Sequence, residues 1–371
     1  MASISIAILV ILTPVSGAFG ATDASGESSP PLLQVQLDQP SDPAMPLARE
    51  VDLSGMWPND CIPQVDGIAL DGADLTINAR FPTTGCDSSH SRPYRLRLSP
   101  SAIVGLPQLP PLIYRTRVFL AATNATPELA AFTLLDATSP NSSPQPESGF
   151  WWSQASKETG AALSGSGLSL EFQDHRVAAG FLGFDDAGNA TWFFGSASVA
   201  GRVAHIPLVS LSRGDAPFEA SDNRPLAEPG PHLEIQFLSP TRALAWIVRD
   251  RGNGTLDVRA LSISRSLFAA EPTGTAWRGR WVLVRAGQEE ASVFDLSEVS
   301  IEDSDSFHLR DPLGGSRLDC RLDATSTVAT PDFCTLIALP DTVANFDQIG
   351  IDHLKGRTAD DTLVQLLRVP D

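Results

Sequence analysis

Apolar and polar positions alternate with a period of two along most of this chain. Leu75, Ile77, Ala79 and Phe81 are interleaved with Thr76, Asn78 and Arg80. Tyr94, Leu96 and Leu98 flank Arg95 and Arg97, and Tyr114, Thr116, Val118 and Leu120 follow the same rule. Such alternation predicts strands with one buried face, and the arginines place water on the other. Two hairpins are expected. In one, residues 177–184 and 190–197 flank Asp185-Asp186-Ala187-Gly188-Asn189; in the other, residues 244–249 and 255–263 flank Asp250-Arg251-Gly252-Asn253-Gly254. Asp, Asn and Gly there supply the positive φ angles of tight connections. The apolar phase of the second hairpin moves from Leu256 and Val258 to Leu261 and Ile263, which predicts a bulge near Ala260. Helical periodicity is scarce. Its best candidates, 127–135 and 359–367, read equally well as strands.

The fold class is therefore all-β and multidomain: an immunoglobulin-like sandwich followed by a larger antiparallel β-sandwich or barrel-like domain. Low-complexity stretches punctuate the chain. Residues 21–47, rich in Ser, Pro and Asp, read as a disordered leader. Residues 48–136 form the predicted sandwich, and 137–148, with three prolines among polar residues, the linker. Residues 149–371 form the larger domain, with a possible sub-boundary near 266–276. Ser212 to His232 holds four prolines and is expected to be a long loop or a second boundary.

The first 20 residues change the setting. An apolar run from Ile4 to Val15 precedes Ser16-Gly17-Ala18-Phe19-Gly20, the layout of a secretory signal peptide cut after Gly20, although no Lys or Arg precedes the run. An uncleaved anchor is the competing reading, but Pro14, Ser16 and Gly17 shorten the run below the ~20 residues a spanning helix needs. The expected location is secreted or periplasmic, with no stable membrane insertion. The formal net charge of −18 excludes a nucleic-acid partner, which needs clustered Lys and Arg. Lys157 and Lys355 are the only lysines, a bias typical of a GC-rich bacterial genome.

Export permits disulfides. The four cysteines allow three connectivities, and sequence proximity favours Cys61–Cys86 with Cys320–Cys334. Zinc is the weaker reading, since no Cys-x-x-Cys occurs and His90 and His308 lack ligand spacing.

Ser148-Gly149-Phe150-Trp151-Trp152-Ser153-Gln154, followed by Glu158-Thr159-Gly160, resembles the start of a module common in exported bacterial proteins. That module has a Trp-Trp-Asn-Pro start and an Asp-x-x-Gly hairpin with a Trp after it; here Asp185 to Gly188 and Trp192 match. The likeness spans about residues 148–265 and departs at the Asn-Pro, which is Ser153-Gln154. Residues 109–115, Leu-Pro-Pro-Leu-Ile-Tyr-Arg, resemble the lead into a late strand of a bacterial immunoglobulin-like sandwich, with Leu112 in place of a Gly. Neither resemblance implies an activity; both imply a β fold and export.

Catalytic motifs are lacking. There is no Gly-x-Ser-x-Gly, no His-Glu-x-x-His and no Gly-rich phosphate loop. Asp174-His175 and Asp352-His353 are neighbours, but adjacent strand residues point to opposite faces. Glu302, Asp303, Asp305 and Asp311 offer oxygen ligands without the Gly bend of a calcium loop. Asp185, Asp186 and Asp250, the candidate carboxylates for a hydrolase acting on polysaccharide or peptide, lie in turns. No cofactor, metal or catalytic residue is assigned. Trp151, Trp152, Trp192, Trp277 and Trp281 remain. Core filling is the commoner fate of Trp, but Trp151, Trp152 and Trp192 are the candidate binding residues, for a protein or glycan ligand. On a regular strand one of Trp151 and Trp152 faces in and the other out, and the outward one is the better candidate. The expected role is a non-catalytic binding or structural module; a carbohydrate-binding protein or secreted hydrolase is the alternative.

Overall fold

A computed structural model describes residues 34–37, 51–57, 61, 64–81, 84–86, 92–99, 109–122, 125–138, 144–154, 159–160, 163, 165–214, 218, 224–251, 255–266, 274–288, 290–303, 306–322, 331–338 and 342–369. The proposed signal peptide lies outside them, as do most of the leader and residues 139–143 of the linker. The structure is all-β, with a two-sheet sandwich, a closed barrel and a third, strongly curved sheet.

The sandwich holds β1 (Gln34–Leu37), β2 (Val51–Trp57), β3 (Gln64–Asp71), β4 (Asp74–Phe81), β5 (Arg92–Leu98), β6 (Ile113–Ala122) and β7 (Glu128–Asp136). One sheet has the order β1-β2-β5 and the other β3-β4-β6-β7, with β4 and β6 parallel. The alternating residues meet as expected: Leu75, Ile77, Tyr114 and Val118 pack on Val51, Leu53 and Leu98 of the facing sheet. Tyr114 is fully buried, and its hydroxyl donates to the Pro110 carbonyl at 2.7 Å, pinning the turn into β6. Gln34–Leu37 pairs with β2 as an edge strand, which the leader's composition did not foretell.

The barrel follows in unbroken up-and-down order: β8 (Gly149–Gln154), β9 (Gly167–Gln173), β10 (Arg176–Phe184), β11 (Ala190–Ala200), β12 (Val203–Ser212), β13 (Leu226–Ser239), β14 (Arg242–Asp250) and β15 (Leu256–Arg265), which returns to β8. Eight strands leave an interior that side chains can fill. Leu168, Val177, Ile206, Leu233, Phe237 and Ile263 do so here. Both predicted hairpins form, with Phe184 opposite Ala190 and Asp250 opposite Leu256.

Two local expectations fail. No bulge occurs at Ala260; the β14–β15 register runs unbroken from Arg242↔Ser264 to Asp250↔Leu256. The phase change has another cause. Leu256, Val258 and Ala260 face outward onto the sandwich, while Leu261 and Ile263 face the barrel core, so both faces of β15 find apolar cover. Nor is Ser212 to His232 all loop. Leu226 to His232 belongs to β13, with Pro229, Gly230 and Pro231 inside it. The β12–β13 register shifts at Pro207/Val209, beside these prolines, where missing N–H donors are tolerated.

The third sheet holds β16 (Gly279–Arg285), β17 (Ser292–Leu296), β18 (Glu298–Asp303), β19 (Ser306–Arg310), β20 (Arg317–Leu322), β21 (Pro331–Ala338), β22 (Thr342–Ile349), β23 (His353–Thr358) and β24 (Leu363–Arg368). Its order is β17-β16-β24-β23-β22-β21-β20-β19-β18. Its two edges, β17 and β18, are joined through Ser297 alone, so the sheet curls until the halves of one bent strand meet. It has a core of its own around Trp277, Trp281, Phe307 and Phe346. The 359–367 segment forms a turn and then β24, and 127–135 forms β7; both are strands, because each has a partner strand and a core face.

Both expected disulfides form. Cys320 and Cys334 are direct cross-strand partners on β20 and β21, both buried.

Candidate functional site

The barrel's outer wall has two halves. On β12 to β15, Trp246, Val248, Leu244 and Val258 are covered by Ile113, Phe132 and Leu134 of the sandwich. On β8 to β11 no described residue of the sandwich covers the wall, and there the candidate tryptophans part company. Trp151 points into the barrel and is fully buried, its indole N–H donating to the Glu147 carbonyl at 3.2 Å. Trp152, one residue on, points out and is 42% exposed. Trp192 also points out, 48% exposed.

Strand register brings the two outward rings onto one row. Trp152 lies opposite Gly167, Leu182 is paired with Gly167, and Trp192 is paired with Leu182. Three strand spacings separate the tryptophans, roughly 14 Å. The glycine is a seat for the ring: a β-carbon at 167 would lie 2.8 Å from Cε3 of Trp152. Phe184 stands in the same relation to Gly165, at 2.8 Å. Phe150 packs 5.3 Å from Trp152, centroid to centroid, and Phe194 lies exposed opposite Gly180. Ser169 and Glu171 share the outward face of β9 beside this row. The result is an aromatic platform in which two rings, Trp152 and Phe184, are laid over glycines, with hydrogen-bonding groups at its side.

A second cluster sits at the seam with the sandwich. His205 on β12 faces Glu234 on β13, and His232 shares Glu234's face two residues earlier. The Nδ1 of His205 is 2.5 Å from Oε1 of Glu234, and Nε2 of His232 is 3.8 Å from the same oxygen. Glu234 is 1% exposed, and its Oε2 accepts the Leu134 backbone N–H at 3.2 Å. Burial lowers the His205 pKa, but the hydrogen bond and charge of Glu234 outweigh it, for a net rise. His232 is pushed down to about 4, first by burial and then by the neighbouring His205.

The acidic candidates serve their turns. Asp185 accepts the N–H groups of Ala187 and Asn189, Asp186 pairs with Arg249, and Asp311 accepts the N–H groups of Leu313 and Gly314. The side chains of Glu302 and Asp303, and all of Asp305, lie outside the described residues. His175 does touch Asp174, at 2.7 Å, because Asp174 has φ 56° in a turn and is not on a strand; both side chains are exposed. Trp277 and Trp281 are fully buried in the third sheet's core.

Sequence reasoning missed three arrangements. The Gly167–Leu182 bridge between Trp152 and Trp192 depends on register. The His232-x-Glu234 pair carried a period-two signal, with His205 opposite it only in the fold. The third was legible: Gly149-x-Trp151 and Gly279-x-Trp281 repeat one motif. Each glycine has positive φ, 142° and 137°. Each tryptophan is buried and donates to the carbonyl four residues earlier. Each faces an arginine on the final strand, Arg265 or Arg368, whose guanidinium donates to the carbonyl before the glycine at 2.8 and 2.7 Å. The same device thus joins the first strand to the last in the barrel and in the curled sheet.

No family profile matches the chain, and no curated protein matches it in sequence.

Proposed function

We propose that this is an exported, non-catalytic binding protein whose barrel presents the Trp152–Trp192 row to an extended glycan. The observation that carries the reading is the row itself: two outward indoles on one register line, on the half of the wall the sandwich leaves open. A ring resting over a glycine offers a π face to solvent, and the apolar face of a sugar ring stacks on such a surface. Ser169 and Glu171 supply polar partners for hydroxyls along the same face. The spacing of the two indoles selects a ligand long enough to touch both.

Export is supported by the sequence of the first 20 residues and by two formed disulfides, which persist in oxidising compartments. Among the described residues, no helix is long and apolar enough to cross a membrane. The likeness of residues 148–265 to a module of exported bacterial proteins points the same way.

A glycan array with wild type, Trp152→Ala and Trp192→Ala tests this. The proposal expects wild-type binding to at least one polysaccharide, and loss in both variants. Absence of wild-type binding across the array overturns it. A protein ligand would then be the reading to pursue, favoured by the exposed Leu182, Phe184 and Phe194 around the tryptophans.

A further inference from the structure

We propose that His205, His232 and Glu234 form a divalent transition-metal site, best suited to zinc, at the seam between the sandwich and the barrel. Among the described residues they are the one group of three or more metal-ligating side chains whose donor atoms all lie within 4.8 Å of one another. The site does not depend on the aromatic row, which lies on the other half of the wall.

One ring nitrogen at this seam has an unfilled valence. Nε2 of His232 is buried and has no hydrogen-bond partner. The ring's other hydrogen bond goes to the backbone of Phe132 on β7, with the ring donating. That bond fixes the tautomer, so Nε2 carries a bare lone pair. The lone pair faces Oε1 of Glu234, an acceptor, 3.8 Å away. Two acceptors turned toward one another out of water call for a cation between them. The backbone bond behind His232 is also the support that metal-bound histidines have, their second ring nitrogen held by a carbonyl or carboxylate. Glu234 has the matching support, its Oε2 held by the Leu134 N–H at 3.2 Å. Both supports come from β7.

The geometry is close to what zinc needs. At zinc–nitrogen and zinc–oxygen distances of about 2.0–2.2 Å, tetrahedral donors stand about 3.3 Å apart. The separations here are 2.5 Å for His205 to Glu234 and 3.8 Å for His232 to Glu234, one short and one long. The three donors lie within 4.8 Å of one another, so admitting the ion needs the His205 ring to draw back from Glu234 by about 1 Å and the two imidazoles to close to about 3.3 Å. His205 then coordinates through Nδ1 and carries its proton on Nε2, toward solvent, where its side chain is 55% exposed. A cationic His205 releases one proton to bulk water on binding; a neutral one shifts tautomer and releases none. Two imidazoles and one carboxylate suit zinc over calcium or magnesium, which take oxygen donors. The fourth position opens on the His205 side and would hold water. The ion would tie β12 to β13, while β7 of the sandwich holds Glu234 and His232 from behind.

The test uses the full mature chain without an affinity tag, stripped with EDTA. Zinc chloride is titrated calorimetrically, and Co²⁺ is added as a spectroscopic substitute. The expected result is one zinc per chain, a tetrahedral Co²⁺ visible band, and at least a tenfold weaker affinity in His205→Ala and in His232→Gln. His175→Ala, at an exposed histidine outside the cluster, binds as wild type. Absence of saturable zinc binding, or wild-type affinity in His205→Ala, overturns the proposal. If His232→Gln fails to fold, His205→Ala decides alone, because that ring is half exposed and its removal leaves the seam packed.

Discussion

Arg265 faces Trp151 across the strand pair that closes the barrel, and its guanidinium donates to the Ser148 carbonyl at 2.8 Å. The next residue, Gly149, opens the tryptophan's strand, and a β-carbon there would lie 3.1 Å from Arg265 Nε. Its φ of 142° is also one that side chains rarely adopt. Gly149→Ala is therefore expected to destabilise the protein by about 1–3 kcal/mol. Gly279→Ala should do the same at the equivalent joint of the third sheet, where the gap to Arg368 Nε is 3.3 Å. Gly67→Ala, with nothing within 4 Å of its β-carbon, should stay within about 0.5 kcal/mol of wild type. Urea unfolding of the three variants checks this; equal effects at all three would refute the clasp.

Trp151 and Trp152 are adjacent in sequence and opposite in consequence. Trp151→Ala opens a cavity in the barrel core and should cost about 3–5 kcal/mol. Trp152→Ala removes a half-exposed ring and should cost far less. Thermal unfolding of the pair reads the difference directly. A Trp152→Ala loss as large as that of Trp151→Ala would mean that the outer ring is structural.

Glu147 sits where the barrel meets the third sheet. Its Oε1 accepts the Ile351 N–H at 2.7 Å; Arg265 and His353 lie 3.5 Å away, and Asp352 adds a nearby negative charge. Burial pushes its carboxyl above the ordinary glutamate range, against the opposing pull of the Ile351 hydrogen bond and Arg265. The native state thus keeps this proton at a pH where the unfolded chain has released it. The stabilising contribution is complete below about pH 4.3 and is lost as pH rises through the native value. Glu147→Gln removes that loss. The stability of Glu147→Gln relative to wild type should move in the favourable direction between pH 4 and pH 7, measured by denaturant unfolding at each pH. A difference that is flat or moves the other way would contradict the assignment. His353, whose pKa burial lowers, titrates in the opposite sense and lies 3.5 Å from Glu147, so the comparison is repeated in a His353→Gln background to remove its contribution.

The Cys320–Cys334 bridge ties direct neighbours on β20 and β21 across a sequence separation of 14. Closing a loop of that size restricts the unfolded chain by about 3 kcal/mol. Reduction should lower the unfolding midpoint of the third sheet by a corresponding amount, read by urea unfolding with and without reductant. An unchanged midpoint would show that strand pairing alone holds the two strands.

Much of this fold could be read from alternation alone. Leu75, Ile77 and Ala79 signalled β4, and the Asp-Gly-Asn loops signalled both hairpins, because those signals are local. The split between Trp151 and Trp152 followed from the pleat. What sequence could not supply was register. The union of Trp152 with Trp192 through Gly167 and Leu182, and of His205 with Glu234, depends on which residues lie opposite across strands. The phase change at Leu261 looked like a bulge because a strand was assumed to have one wet face, yet β15 is covered on both. Pro229 and Pro231 argued for a loop, and only the irregular pairing beside Val209 makes room for them in β13. The repeated Gly-x-Trp was present in the sequence and went unread, since the two copies share little else.

In the function proposed above, the outer row of the barrel carries ligand binding. The most direct measurement is retention of wild type and of the Trp152→Ala/Trp192→Ala double variant in native gels containing each of a panel of polysaccharides. The account predicts that at least one polysaccharide retards the wild type, and that the double variant, with an unchanged far-ultraviolet spectrum, binds it more than tenfold more weakly, a loss of about 1.4 kcal/mol or more. Equal retardation of the folded double variant would contradict it.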